Sequence, residues 1–220
     1  MQDELHRCGS SGLPSGIFVG TQIGLPPVRD FAEPKLRSRI LNDVLEKGAR
    51  ICLAITEPSG GSDVQGLLTT AEKVKHPKTG QECYKLNGSK KWITTGIWSD
   101  LFCTAVRTGP EGSGAGGVSF VLVDKRDSVT KDGIELKRMK VGGLGSSGTT
   151  LIQFTDCYVP VENLIGQENQ GFKYIVSLLG APFLSSPPLL IHATPYVDVQ
   201  LQSRTIDHLD RSTPTCEGLS

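Results

Sequence analysis

From residue 51 onward, hydrophobic residues occur in short blocks separated by glycine, proline and polar turn residues. Such blocks are typical of β-strands in a sheet with many turns. The strands predicted in this way are 51–55, 68–74, 83–86, 90–94, 101–107, 118–123, 134–136 and 151–154. Between them no amphipathic segment reaches the length of a helix. The pattern therefore favours a mainly β fold, closed or nearly closed into a barrel, over βαβ units.

Two connections in this region have distinct compositions. Asn87-Gly88 lies between two predicted strands and predicts a hairpin turn, because both residues tolerate positive φ. Residues 108–117 are so rich in glycine that a mobile loop is predicted there.

A helix is predicted before the β region, from Pro34 to Gly48. Leu36, Ile40, Val44 and Leu45 are predicted to fall on one face of this helix. Pro34 suits its first turn, and Gly48 suits the position just after its end.

The two ends of the chain have weaker patterns. Residues 1–27 show little periodicity and several turn dipeptides, whereas a helix begins at about residue 171. Residues 181–220 contain several prolines and a polar end, so we expect an irregular, disordered tail. Prolines interrupt the apolar run at 174–191 before it could span a bilayer, so no membrane span is predicted.

The composition excludes some classes of partner. The 26 glycines and 13 prolines agree with many turns. Lysine plus arginine equals aspartate plus glutamate, 23 each. No overall field therefore attracts nucleic acid or an anionic membrane.

The cysteines and histidines indicate neither a metal site nor a redox dithiol. The six cysteines include no Cys-x-x-Cys pair, and the four histidines have no metal-ligand spacing. Cys52 and Cys103 lie in apolar strands and are predicted to be small core residues. The N-terminus lacks the apolar region of a secretory signal. We therefore expect an intracellular protein of the cytoplasm, mitochondrion or peroxisome.

The segment from Ile51 to Asp63 carries the first candidate site. It is a short apolar strand followed by a turn in which Gly60 and Gly61 have no Cβ to hold a ligand away from the backbone. Their amides and the hydroxyl of Ser62 are suited to a phosphate or pyrophosphate. The alternative is a glycine-rich surface turn.

A second candidate segment is Trp92-Ile93-Thr94. The indole of Trp92 offers a broad apolar face, and Thr94 offers a hydroxyl donor. The alternative for Trp92 is an aromatic residue of the barrel core.

These segments together resemble a known family. Thr56-Glu57-Pro58-x-Gly60-Gly61-Ser62-Asp63 after an apolar strand is similar to the flavin-binding signature of the acyl-CoA dehydrogenases. The likeness continues through Trp92-Ile93-Thr94 to about Phe172. It implies a remnant of an N-terminal helical domain at 1–50, a flavin-binding β-barrel middle domain at 51–165 and the start of a C-terminal helical domain at 166–180. The divergent tail follows at 181–220.

The resemblance also implies FAD as the cofactor. Thr56 would bind the edge of the flavin ring, Gly61 and Ser62 the phosphates, and Thr94 the flavin N5, with Trp92 packed against the ring. The implied cofactor-binding residues are Leu53, Ala54, Ile55, Thr56, Gly60, Gly61, Ser62, Trp92, Ile93 and Thr94. Ser62 would also contact the acyl-CoA substrate.

The implied reaction is α,β-dehydrogenation of an acyl-CoA thioester, with electrons passed to an electron-transfer flavoprotein. In the family the catalytic base belongs to the C-terminal helical domain, which also mediates a homo-oligomer. No catalytic residue is assigned in this sequence, and a truncated, catalytically incomplete form is expected. The alternatives are a fragment of an acyl-CoA oxidase and a non-catalytic β-barrel binding module.

Several polar motifs are interpreted as structural. Glu57 is predicted to be a structural turn residue and Asp63 a turn or cap acceptor, rather than catalytic bases. The string Gly143-Leu144-Gly145-Ser146-Ser147-Gly148 matches a dinucleotide-binding pattern, but a strand follows it where that pattern requires a helix. The basic run Lys137, Arg138 and Lys140 is interpreted as a solvated strand edge, with a CoA phosphate site as the alternative.

Overall fold

Four helices flank a region of eight β-strands in the computed structural model, which describes residues 7, 9 and 12–185. Side chains are described as far as residue 178, the end of the compact unit Met1–Leu178. The helices are α1 Gly12–Val19, α2 Pro26–Phe31, α3 Pro34–Leu45 and α4 Gly171–Ser185, with a π-helix at Gly20–Gly24. The strands are β1 Ile51–Ala54, β2 Thr70–Lys75, β3 Glu82–Ile93, β4 Leu101–Arg107, β5 Val118–Asp124, β6 Ile134–Arg138, β7 Thr150–Pro160 and β8 Leu164–Ile165.

The strands form one sheet in the order β6-β7-β3-β2-β4-β5-β8, and β1 pairs in parallel with β4. Most neighbours are antiparallel, including β3 with β7 and β4 with β5. The sheet is open between its end strands β6 and β8. This arrangement confirms the predicted mainly β fold.

The strand β4 is buried on both faces and separates two hydrophobic cores. Cys103 and Ala105 pack with residues of the helices, such as Ile40. Phe102 and Val106 pack on the opposite face, inside the sheet. Because successive side chains of a strand alternate between faces, a strand between two cores is mainly apolar, and the buried hydroxyl of Thr104 donates to the carbonyl oxygen of Phe102. The prediction that Cys52 and Cys103 are core residues is confirmed, since both are buried.

The predicted hairpin at Asn87-Gly88 is wrong. Residues 82–93 form a single strand, β3, with a change of register between Leu86 and Gly88. The side chain of Asn87 exchanges hydrogen bonds with Asp156 of β7, at 2.9 and 3.1 Å. Gly88 has a φ of 144°, and a Cβ there would lie 2.6 Å from the Cα of Thr69. The Asn-Gly pair therefore lies at a β-bulge between β3 and β7, where the backbone of Gly88 also approaches that of Thr69, rather than in a turn.

The irregular character expected of residues 1–27 is also wrong for their described part. Helix α1, the π-helix and the start of α2 occupy 12–27. Gly12, Gly16, Gly20 and Gly24 recur every four residues and therefore share one helical face. A Cβ at Gly20 would lie 2.1 Å from the carbonyl oxygen of Ile51. Gly20 and Gly24 let the π-helix lie directly on β1, whereas Gly12 and Gly16 let α1 approach residues 144–147.

Helix α4 extends beyond the predicted limit at residue 180, to Ser185. The rest of the predicted tail, 186–220, lies outside the described residues. Within the part of the chain that the structure describes, no helix is long and apolar enough to cross a membrane.

A cluster of charged residues fixes helix α3 to the end of β5. The carboxylate of Asp43 accepts hydrogen bonds from Arg126, at 2.7 Å, and from Lys47, at 3.0 Å. Arg126 also binds Asp124. The hydrogen bond from Arg126 lowers the pKa of Asp43 and outweighs the opposing effect of burial.

We expect Asp43→Asn to lower the free energy of unfolding by about 1 kcal/mol at pH 7, because a charge-assisted contact is lost. Since the folded-state pKa of Asp43 lies below the unfolded value, this contribution is present above about pH 4 and is lost as the pH falls further. Urea unfolding at several pH values measures the difference. Asp30→Asn is the control, because Asp30 pairs with its exposed neighbour Arg29 and should cost little. A wild type and an Asp43→Asn variant of equal stability at pH 7 would contradict the expectation.

Candidate functional site

The two candidate segments meet where the chain leaves β1 and where β3 ends. The amide of Lys91 donates a hydrogen bond of 2.9 Å to the carbonyl oxygen of Thr56. Because Lys91 directly precedes Trp92, this bond places Thr56 of the first segment next to the second segment, although the two segments are far apart in sequence. Strand β1 and the end of β3 therefore present Thr56 and Trp92 together.

A tight turn follows Thr56. The backbones of Glu57 and Gly60 exchange two hydrogen bonds, at 3.0 and 3.2 Å. Asp63 accepts a hydrogen bond from the amide of Gly66 at 3.2 Å, at the start of a short 3₁₀-helix. Asp63 is therefore a cap residue, as predicted. The guanidinium of Arg107 holds the next residues by donating to the carbonyl oxygens of Gln65 and Leu67.

The edge of the site carries hydrogen-bonding groups that the rest of the described chain does not use. Within residues 7, 9 and 12–185, the amides of Gly61 and Ser62 have no acceptor. The hydroxyls of Thr56, Ser62 and Thr94 likewise have no partner among these residues. Five polar groups on the two joined segments are therefore available to a ligand.

Trp92 is half-buried rather than a residue of the barrel core. Its φ of 64° lies in the left-handed region, which bulky residues rarely adopt. The ammonium group of Lys91 lies 4.7 Å from the centroid of the indole ring. Backbone strain of this kind persists only where surrounding contacts fix it, and it is common at binding sites.

Most of the other residues that the resemblance implies for cofactor binding have side chains that point away from the site. The side chain of Leu53 packs in the core beneath the helices, and those of Ala54 and Ile93 pack inside the sheet. These three can offer a ligand only their backbone atoms. Ile55 is half-buried. Gly60 lies in the turn, where a Cβ would meet only Asp63, at 3.7 Å.

Beneath the site lies a buried ion pair that the sequence analysis missed. Lys90 is fully buried, and its ammonium group lies 2.8 Å from the carboxylate of Glu57, which is 4% exposed. Burial lowers the pKa of Lys90 to about 8, against the opposing effect of Glu57. Burial alone would raise the pKa of Glu57, but Lys90 and the amide of Leu68 lower it. The carboxylate of Glu57 is thus held by Lys90 and by the amides of Leu68 and Thr69, and Glu57 is a structural residue, as predicted.

One sequence signal for Lys90 does exist. Counting every second residue from Leu86, which is buried, places Lys90 on the inner face of β3. A lysine at such a position requires an acidic partner, since an unpaired buried charge is costly.

The other polar motifs lie away from this site or lack the required context. The string 143–148 contains a 3₁₀-turn, Gly145–Ser147, and β7 follows it, so the dinucleotide interpretation fails as predicted. Lys137, Arg138 and Lys140 are exposed on or beside β6, at one end of the sheet. Among the residues with described positions, no group of three or more histidine, cysteine or acidic residues could hold a metal ion.

Comparisons with known proteins show the family to which this fold belongs. The family model "Acyl-CoA dehydrogenase, middle domain" matches residues 52–157. The chain is 44% identical over 175 residues to the acyl-CoA dehydrogenase apdG of Emericella nidulans. The aligned region covers 80% of this chain and 38% of apdG.

Solved structures show the same likeness. A probable acyl-CoA dehydrogenase from Mycobacterium abscessus superposes with a TM-score of 0.71 at 34% identity, over 82% of this chain and 45% of that one. PigA, solved as a complex with FAD, superposes with a TM-score of 0.67 at 25% identity, over 76% of this chain and 41% of PigA. The chain thus spans less than half the length of these relatives.

The eight-stranded fold, with its two joined segments, is the middle domain that acyl-CoA dehydrogenases share. Through this domain the chain belongs to the acyl-CoA dehydrogenase family.

Proposed function

We propose that this chain binds FAD along the joined edge of Thr56 and Trp92, as part of a flavoenzyme that dehydrogenates acyl-CoA thioesters. The hydrogen bond between the amide of Lys91 and the carbonyl of Thr56 carries the proposal, because it brings the two segments of the signature together. The relative PigA binds FAD and shares the fold.

The polar groups at this edge fit the chemistry of FAD. The amides of Gly61 and Ser62 would bind its pyrophosphate, since adjacent free amides form an anion-binding concavity. The hydroxyls of Thr56 and Thr94 would donate to polar atoms at the edge of the flavin ring, and the indole of Trp92 would pack against the ring. When bound, FAD would accept a hydride from the β-carbon of the thioester.

Ser62 is exposed beside the turn, and we propose that it also contacts the acyl-CoA. The electron acceptor would be an electron-transfer flavoprotein, and a homo-oligomer would be the working state of the enzyme. These assignments rest on the family.

Reconstitution with FAD tests the cofactor assignment. The purified chain, incubated with FAD and passed over a desalting column, should retain a yellow colour with a flavin absorption spectrum. A colourless protein that does not bind FAD in a titration would contradict the proposal and favour a non-catalytic barrel.

We further propose that neither carboxylate on the two segments is the catalytic base, so that the described part of the chain is catalytically incomplete. A base must reach the α-proton of the thioester, but Glu57 is held by Lys90 and Asp63 caps a turn. Without a base, the rate should fall by about 10²- to 10⁴-fold. We therefore expect no bleaching of the reconstituted flavin when an acyl-CoA is added without oxygen.

Two results would contradict this expectation. Rapid bleaching by a saturated acyl-CoA would show that a base is present. Hydrogen peroxide formation in air would show in addition that the chain acts as an oxidase.

A further inference from the structure

The buried pair Glu57 and Lys90 connects three segments around the proposed FAD site. The ammonium group of Lys90 donates to the carbonyl oxygen of Ile55, at 3.1 Å, and to Oε1 of Glu57, at 2.8 Å. The carboxylate of Glu57 also accepts the amides of Leu68, at 2.7 Å, and Thr69, at 3.0 Å. Thr56 lies between the two residues that Lys90 holds.

We propose that Lys90 and Glu57 are positioning residues that fix Thr56 relative to Trp92 and so set the geometry of the flavin site. This inference rests on the proposed function. Lys90 belongs to the same strand as Trp92, two residues away, and its ammonium group holds the residues on both sides of Thr56. The pair thus joins the first segment to the second through side chains, in addition to the backbone bond at Lys91.

The energetics distinguish positioning from simple stabilisation. Two buried charges lose their hydration, and replacing such a pair with neutral residues of similar size is often neutral or stabilising. Folding alone therefore does not require a charged pair at this place. Rigid hydrogen bonds that fix the relative position of two ligand-binding segments are useful to a site whose contacts tolerate little displacement.

The double variant Glu57→Gln/Lys90→Met tests the proposal in the full chain. Glutamine keeps one acceptor oxygen, for the amide of either Leu68 or Thr69, and methionine fills the space of the lysine stem. We expect a melting temperature lowered by about a few degrees because one amide loses its acceptor, and an FAD dissociation constant raised by about 10-fold. The visible circular dichroism of the bound flavin should also change, because it depends on how the ring is held.

The matched control is Lys73→Met/Glu168→Gln. It removes an ion pair of 2.6 Å in which Lys73 is largely exposed, and neither residue lies in the two segments. FAD affinity and the flavin spectrum should remain those of the wild type.

A second variant decides the matter if the double variant does not fold. Glu57→Asp keeps the charge but withdraws the carboxylate by one methylene group, so we expect FAD affinity to fall by about 3-fold or more in a folded protein. A folded double variant that binds FAD with wild-type affinity and spectrum would overturn the positioning role, as would a folded Glu57→Asp variant with wild-type affinity. A wild-type chain that fails to bind FAD would instead overturn the proposed function.

Discussion

Replacing Gly20 with alanine is expected to lower the free energy of unfolding by about 2–3 kcal/mol. The added Cβ would lie 2.1 Å from the carbonyl oxygen of Ile51. The backbone fixes the position of the Cβ, and the oxygen is itself a backbone atom, so no side-chain rotation can separate them. Either the π-helix or β1 must therefore move. A carbon and an oxygen atom in contact normally lie more than 3 Å apart, so the shift is of the order of 1 Å.

The displacement should also weaken the proposed site. Ile51 begins β1, which leads directly to Thr56, so a shift of this strand changes the position of Thr56 beside Trp92. We expect weaker FAD binding together with a lower melting temperature. Chemical denaturation and FAD titration of the same samples measure both effects.

Gly116→Ala provides the matched control. Gly116 has an ordinary φ, and a Cβ there would have no atom within 4 Å. Its effect should lie within about 1 kcal/mol of zero. If Gly20→Ala were as stable as Gly116→Ala, the close packing of the π-helix on β1 would be refuted.

The sequence predicts best the elements whose pattern is set by burial alone. Strand β4 is predicted at 101–107 and observed at Leu101–Arg107, because cores on both of its faces require a mainly apolar run. The helix predicted from Pro34 is likewise observed, since Leu36, Ile40 and Val44 share its buried face; the prediction is wrong for Leu45, which is exposed. In these segments, local pattern and tertiary packing agree.

The failures occur where a residue serves a distant partner. Asn87-Gly88 has the composition of a turn, but Asp156 and Thr69, which are remote in sequence, determine its bulge. The glycines of residues 12–24 suggest irregular chain when they are considered singly. Their spacing of four residues is the signal for a helix packed closely on another backbone.

The candidate site was predicted in the same uneven way. The resemblance supplied Thr56 and Trp92, and the structure places them side by side through Lys91. The pairing of Glu57 with Lys90 depends on which face of β3 is buried. The predicted hairpin divided β3 into two strands, so the alternation from Leu86 to Lys90 was not followed. A single strand from Glu82 to Ile93 gives Lys90 its inward position.

Replacing Trp92 with alanine is expected to raise the FAD dissociation constant by about 10- to 100-fold, which corresponds to roughly 1.4–2.7 kcal/mol. The indole is half-buried, and the ammonium group of Lys91 lies 4.7 Å from its ring centroid, so one aromatic face is partly covered by protein. A flavin ring would pack on the other face. Alanine would remove this contact and leave the ring site open to water.

The second tryptophan provides the control for this prediction. Trp98 lies close to Gly148, and Arg50 and Arg138 are each 5.9 Å from its ring, so it belongs to a different cluster. Trp98→Ala removes the same area of aromatic surface but should change FAD affinity by less than about 3-fold. Trp92→Phe should retain most of the affinity, because a smaller aromatic ring still presents a flat apolar face.

The measurement separates loss of the contact from loss of the fold. FAD titration followed by flavin fluorescence gives the dissociation constant, and a melting curve for each variant shows whether it is folded. Because the chain has only two tryptophans, Trp98→Phe leaves Trp92 as the sole indole, whose fluorescence should be quenched as FAD binds. A folded Trp92→Ala variant with wild-type affinity would refute the packing of the flavin on Trp92. The amides at Gly61 and Ser62 would then remain as the main anchor for FAD, through its phosphates.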